Sequence, residues 1–238
     1  MPIDSENNYP GGGKLPRRSF LQYGTIIAGG LVVSPLLTRA GVNPTGAPAK
    51  EMFWYQKPLR IMHTVLRETE AKNYDAKAVV AYMQKDGCNA LCVNAGGIVD
   101  FFQNPLPAAN INKFMGTRDI LKEITTACKA AGIKVIARID FRGVEEHVYQ
   151  KFPDWFKKDI DQNPVKTTHT HPVLYESCYS NQYRQEYANE FVSYVLKNYA
   201  VDGIWHNSPG FNGICYCSRC QAAYKAASGK ALPVLASA

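Results

Sequence analysis

The 238-residue chain is 46% hydrophobic and 20% charged, which excludes a disordered or fibrous protein and allows one buried core with an appendage. Its net charge of +7 comes partly from Lys14, Arg17, Arg18 and Arg39 near the N-terminus. The other basic residues form no block, so no nucleic-acid surface is expected. Seven cysteines are too few for a disulfide scaffold of this size, and their uneven spacing favours one local site.

Residues 1–13 are polar and Gly-rich. Pro16-Arg17-Arg18-Ser19-Phe20-Leu21-Gln22 follows, then a mild apolar run from Tyr23 to Val33 diluted by glycine. This resembles a bacterial twin-arginine export signal, which implies a periplasmic or secreted protein and a transient partner, the twin-arginine translocase. Residues 1–49 are then signal and linker, and residues 50–238 the functional domain. Cleavage after Ala40 and cleavage after Ala49, in Ala47-Pro48-Ala49, both fit the pattern, and an uncleaved N-terminal membrane anchor is the alternative. Export of already folded proteins implies that cysteine sites are filled before the chain leaves the cytosol.

Beyond the linker, Leu59 to Thr64 reads as a first strand. Asp75 is placed to cap a helix with Ala78, Val79, Tyr82 and Met83 at helical spacing, ending at Gly87. Asn89 to Asn94 is a second strand, followed by Gly96-Gly97 and a long aromatic loop to Gly116. Thr117 or Asp119 opens a second helix whose Ile120, Leu121, Ile124, Ala127, Cys128 and Ala131 form one stripe up to Gly132. Lys134 to Asp140 is a third strand, and a long insertion runs from Phe141 to Ser177. A third helix, about Tyr183 to Tyr199, precedes a fourth strand, Gly203 to Asn207.

Near-continuous apolar strands between amphipathic helices indicate an α/β fold with a parallel sheet. A TIM barrel and an open doubly wound sheet both fit. No Gly-x-Gly-x-x-Gly follows the first strand, so the nucleotide-binding version lacks its main support. The loops after strands two, three and four are long and polar-aromatic, as a barrel's active face requires. Four strands in roughly 190 residues fall short of the about 250 that a full barrel takes. The expectation is a TIM-barrel-type architecture represented by its N-terminal half, about four β/α units, with exposed sheet edges prone to self-association.

Asn94-Ala95-Gly96-Gly97-Ile98, Gly116-Thr117-Arg118-Asp119-Ile120-Leu121 and Ala137-Arg138-Ile139-Asp140-Phe141 occur in that order. With Phe152-Pro153-Asp154-Trp155-Phe156-Lys157-Lys158-Asp159 and Val201-Asp202-Gly203-Ile204, they resemble the hypothetical glycosyl-hydrolase-like family six over about Leu59 to Ser228. That resemblance implies a TIM-barrel domain of glycosidase type and a carbohydrate partner.

A narrower similarity is to the glycoside hydrolase family 42 β-galactosidases. There a Cys, a short polar stretch and Tyr-Arg precede a helix, and a later Cys-x-Cys-x-x-Cys completes a zinc site. Cys178 with Tyr183-Arg184 matches the first part, and Cys215, Cys217 and Cys220 the second. Four thiolates would satisfy tetrahedral zinc with no open position, so the ion would be structural. A disulfide from Cys178 to one of the others is the alternative in an oxidising compartment. Cys88, Cys92 and Cys128 fall on apolar positions and read as buried thiols. A redox role would need a reactive Cys-x-x-Cys at a helix start, and Cys217-Ser218-Arg219-Cys220 sits within a denser cluster.

A retaining glycosidase needs two carboxyls flanking the scissile bond. At the end of strand four the family 42 enzymes carry Asn-Glu, and the related α-L-fucosidases an Asp nucleophile. Here the residues are Asn207-Ser208, so the catalytic carboxylate is missing under both analogies and the catalytic residues stay unassigned. Substrate-binding candidates remain. Arg138 and Asp140 lie two apart on strand three and share a face, to hold sugar hydroxyls or to form a core salt bridge. His63, Asn94 and Asn207 end strands one, two and four. Trp155 is placed to stack on a sugar or to anchor its loop. His169 and His171, an i,i+2 pair without an acidic partner, are a weak metal motif. Two functions fit: an exported glycosidase-like protein acting on oligosaccharides and incomplete or inactive as this chain, or a non-catalytic carbohydrate-binding or interaction module braced by zinc.

Overall fold

The computed structural model describes residues 52–168, 172–207 and 213–234. The expected signal and linker, His169, His171 and Ser208 lie outside the described residues. The fold belongs to the unit Met52–Ala238. In chain order, β1 (Ile61–His63) leads to α1 (Ala76–Lys85), and β2 (Ala90–Gly96) to α2 (Ile120–Ala130). After β3 (Lys134–Ile139) a long excursion holds β4 (Gly143–Val144), α3 (Glu146–Tyr149) and β5 (Tyr175–Glu176). A π-helical turn, Tyr183–Tyr187, runs into α4 (Ala188–Asn198); β6 (Gly203–His206) and α5 (Ser218–Ser228) follow.

Local chemistry sets these boundaries. The Asp75 carboxylate accepts from the amides of Lys77 and Ala78 at 2.9 and 3.1 Å, and Asp119 from that of Lys122 at 2.8 Å, each satisfying free donors of a first turn. Gly87 (φ +65°) and Gly132 (φ +70°) take the left-handed conformation that stops α1 and α2. The α2 stripe buries Ile120, Leu121, Ile124 and Cys128 completely, and each large aliphatic side chain contributes about 1.5–3 kcal/mol.

The four long-range strands form one parallel sheet in the order β1-β2-β3-β6, so each predicted strand neighbours the next. One face, Leu91, Val93, Ala95, Val135, Ala137 and Ile139, packs into a core with Val80 and Met83 of α1, Leu121 and Ile124 of α2, and Phe191 and Val195 of α4. The other face is concave. Rings on the two edge strands lie three strand spacings apart, about 14 Å across a flat sheet. Yet the His63 and Trp205 rings approach to 6.3 Å. Such curl is that of a barrel wall. At its floor the Trp54 ring lies in van der Waals reach of Gly203, which pairs with Ile136.

The edge strand β6 is short, and Asp202 fixes it. One carboxylate oxygen accepts from Lys134 Nζ at 2.7 Å and the other from the Val135 amide at 2.9 Å, while the Asp202 amide donates to the Val135 carbonyl at 2.8 Å.

Two elements depart from expectation. The insertion is not featureless: β4 and β5 pair antiparallel, and Tyr175 of β5 stacks on Tyr149 of α3 at 3.9 Å. The helix α5 was not foreseen, because Ser218–Ser228 has no apolar stripe and none of its residues is buried.

Candidate functional site: the concave sheet face and a four-cysteine centre

Parallel pairing aligns the carboxyl ends of the strands, so the residues there meet in a shared concavity. Asn94 pairs in register with Arg138, and Arg138 with Trp205. These three and His63, whose ring meets that of Trp205, form a polar and aromatic band. Trp205 is 52% exposed, and Ile61 on the floor side of the same face 49%. Asn94 Nδ2 donates to the Leu66 carbonyl at 3.3 Å, whereas Asn94 Oδ1 and Arg138 Nε are buried with no hydrogen-bond partner among the described residues. A buried donor and a buried acceptor on neighbouring strands suit hydroxyls or water.

Above this band the anticipated Arg138–Asp140 pair does not form. Asp140 follows the last residue of β3, and its carboxylate is taken from the loop side. Arg142 Nη2 lies 3.0 Å from Oδ2, the Arg142 amide donates to Oδ1 at 3.2 Å, and Asn207 Nδ2 donates to Oδ2 at 2.7 Å. Asp140 and Asn207 are thus brought together, and Arg138 is left to the band below. Trp155 stands apart, half-buried in the insertion and stacked on Phe152 with ring centroids 4.2 Å apart. His206 points to the helix side, against Phe141. Its Nε2 accepts from Arg184 at 3.4 Å, which leaves the proton on Nδ1. Burial and Arg184 hold its pKa below the ordinary imidazole value, partly offset by Asp140.

The loop after β2 is held by close backbone approach. A Cβ on Gly97 (φ +113°) would fall 2.2 Å from the Asp140 carbonyl oxygen, and one on Gly96 would fall 2.3 Å from Asp100 Oδ1. Asp100 is buried, accepting from the Gly97 amide (3.0 Å), Asn104 Nδ2 (2.8 Å) and the Asn110 amide (3.1 Å). Burial pushes its pKa from 3.8 up to about 6 against the pull of those donors. Because the folded value lies above the unfolded one, folding takes up a proton between them. The stability that Asp100 contributes, about 3 kcal/mol, should therefore be lost as pH rises from about 4 through 6. Urea midpoints measured across that window should fall less steeply in Asp100→Asn than in the parent; equal slopes would exclude Asp100 as the source.

The second centre joins two loops. Cys178 follows β5, and Cys215, Cys217 and Cys220 lie after β6, with Cys217 the residue just before α5. The four sulfurs lie within 4.8 Å of one another. Cys178 Sγ is 3.7 Å from Cys217 and 3.4 Å from Cys220. All are free thiols, too far apart for a sulfur–sulfur bond of about 2.05 Å. Ligands at about 2.3 Å from a tetrahedral ion sit about 3.8 Å apart, so the donor set fits a metal ion. Hydrogen bonds from Cys178 and Cys215 hold the Cys217 thiol pKa far below normal, and bonding to Cys215 and Cys217 raises that of Cys178. A thiolate is thus favoured at Cys217, the form in which a cysteine ligates a metal. Beside the cluster is a cavity of about 690 Å³ lined by Arg142, Lys157, Arg184 and Tyr224 among others.

Sequence reasoning missed Arg142 and Trp205 as neighbours of these sites, and had Arg184 only as part of the motif shared with Cys178. Trp205 was within reach of it, since it lies two residues before Asn207 on one strand, the same spacing that links Arg138 to Asp140.

A curled parallel sheet with helices on its convex side defines an α/β domain of the TIM-barrel type, here seen over four strands. The model of the family described as hypothetical glycosyl hydrolase 6 matches residues 75–208, and the chain belongs to that family. The fold is similar to that of α-L-fucosidase isoenzyme 2 from Paenibacillus thiaminolyticus (TM-score 0.57, 23% identity, 72% of this chain and 26% of the other). It is also similar to a hypothetical protein from Ruminiclostridium thermocellum (TM-score 0.51, 14% identity, 64% and 77% of the two chains). A looser likeness is to a cold-adapted β-galactosidase from Rahnella sp. R3 (TM-score 0.49, 19% identity, 71% and 24%). The chain spans about a quarter of the fucosidase. Comparison with curated protein sequences gives no match.

Proposed function

We propose that this is an exported carbohydrate-binding protein of the glycosidase type, which holds oligosaccharide on the concave sheet face, with no catalytic carboxyl pair on that face among the described residues. The observation that carries the reading is the band of His63, Asn94, Arg138 and Trp205 at the strand ends. Aromatic faces stack on the apolar faces of sugar rings, and a guanidinium and a side-chain amide match vicinal hydroxyls. Asp140 is already neutralised by Arg142 and hydrogen-bonded by Asn207, so in this role it orients the rim and is not a proton donor.

In this reading the four cysteines hold a structural zinc ion, since four thiolates leave no open coordination position. The twin-arginine signal sends the folded, metal-loaded chain to the periplasm or beyond, and self-association through the open edges of β1 and β6 accompanies it.

Isothermal titration with oligosaccharides of varied composition tests the binding. At least one should bind, and Trp205→Ala or Arg138→Ala should weaken it about tenfold or more, with unchanged thermal unfolding. Absence of binding to any of them would overturn the reading. Turnover of aryl-glycosides by this polypeptide alone would overturn the non-catalytic part and favour an active hydrolase.

A further inference from the structure

One side chain beside the cysteines is placed too specifically to be filler. Asn181 is 3% exposed and begins the turn that runs into α4, where its carbonyl accepts from the amides of Arg184 and Gln185 at 3.1 and 3.0 Å. Its Nδ2 donates to the Asp154 carbonyl at 2.8 Å and to Cys217 Sγ at 3.5 Å. The first bond fixes the second. A carbonyl oxygen accepts only, so the nitrogen end of the amide must face Asp154, and its other hydrogen then points at the sulfur.

Arg184 completes the arrangement. Its Nε donates to Ser177 Oγ at 2.8 Å and its guanidinium lies 4.3 Å from the Tyr179 ring centroid. It thereby grips the residues immediately before and after Cys178. Arg184 lies in the π-helical turn Tyr183–Tyr187, and Asn181 stands two residues before that turn begins.

We propose that Asn181 is a positioning residue of the four-cysteine centre: its amide holds the Cys217 sulfur at the ligand position and damps its nucleophilicity. The inference rests on the reading that the cluster binds a metal. A hydrogen bond to a ligating thiolate draws charge from the sulfur, so the ion is held by a less reactive donor, and outer partners of this kind change metal affinity by about 10- to 100-fold.

The test uses the full chain, stripped of metal under reducing conditions and titrated with Co(II) and then Zn(II) alone. The parent should bind one ion with an intense thiolate-to-cobalt absorption. Asn181→Ala should weaken Zn(II) binding about 10- to 100-fold. It should also move the cobalt charge-transfer band to lower energy and speed alkylation of zinc-bound Cys217 by iodoacetamide. A merely structural role would change affinity without moving the band or the alkylation rate. Should Asn181→Ala not fold, Asn181→Asp, of equal size but turning an acceptor toward the sulfur, should show the same changes more strongly. If the parent binds no ion, the metal reading itself fails. If it binds one and the variants match it in band position and alkylation rate, the role assigned to Asn181 is wrong and the metal reading stands.

Discussion

Replacing Gly97 by alanine is expected to cost the fold roughly 4 kcal/mol, most of the stability of a domain at the low end of the ordinary range of about 5–15 kcal/mol. Two effects add. At φ +113° an L-residue is strained whatever surrounds it, and the new methyl would lie 2.2 Å from the Asp140 carbonyl oxygen, which is backbone and cannot swing away. Asp140 is itself tied down, since its amide donates to the Gly96 carbonyl at 3.0 Å. Relief would therefore require β2 and β3 to part at the end that carries the polar band. Gly132 is the internal control: it also has positive φ, but a Cβ there meets nothing within 4 Å. Gly132→Ala should cost only about 1 kcal/mol. Urea unfolding of the two variants reads the difference, and equal losses would mean that the close approach of Gly97 to Asp140 is not a real constraint.

Cys178→Ser is the other change with a large expected effect. Protein purified from the cytosol should carry about one zinc ion per chain, and the variant should carry none. Apparent zinc binding to four-ligand sites is worth about 10–16 kcal/mol in small domains, so one lost thiolate weakens it by orders of magnitude. The loss should be local. No residue of α5 is buried, and an isolated helix of this length is marginal in water, so removing the ion should expose Arg219, Lys225 and Lys230 to trypsin while the sheet persists. Cys88→Ser, outside the cluster, should keep the ion. A parent chain without metal, carrying instead a disulfide at Cys178, would refute the metal centre.

Much of the scaffold was legible before any coordinates. Asp75 as a cap, Asp119 as one of two caps offered for α2, Gly87 and Gly132 as stops and the α2 stripe are local signals, readable because propensity, capping and burial agree there. The cysteine cluster was legible for a different reason: thiol spacing is chemistry written in one dimension. What escaped depends on three-dimensional closure. Arg142 takes Asp140 because the chain turns after Ile139, and alternation, which predicted Arg138 as partner, stops applying where the strand stops. Asn181 reaches a sulfur 36 residues away, and no periodicity encodes that. The helix α5 hides for the opposite reason: with no face to bury, it leaves no pattern to read.

The Asp202 carboxylate has a further meaning. Side chains alternate along a strand, so sliding β6 by one residue would exchange every face. His206 would swing into the concavity, and the Trp205 indole would be driven into the helix layer where Phe141 now meets the His206 ring. A strand of four residues at a sheet edge has little hydrogen bonding with which to resist that slip. The two oxygens of Asp202, one on a Lys134 ammonium and one on a Val135 amide, act as a pawl that admits one tooth of the ratchet. Which aromatic ring the molecule shows to the outside world is thus decided at the far end of the strand, by a residue that never touches the site.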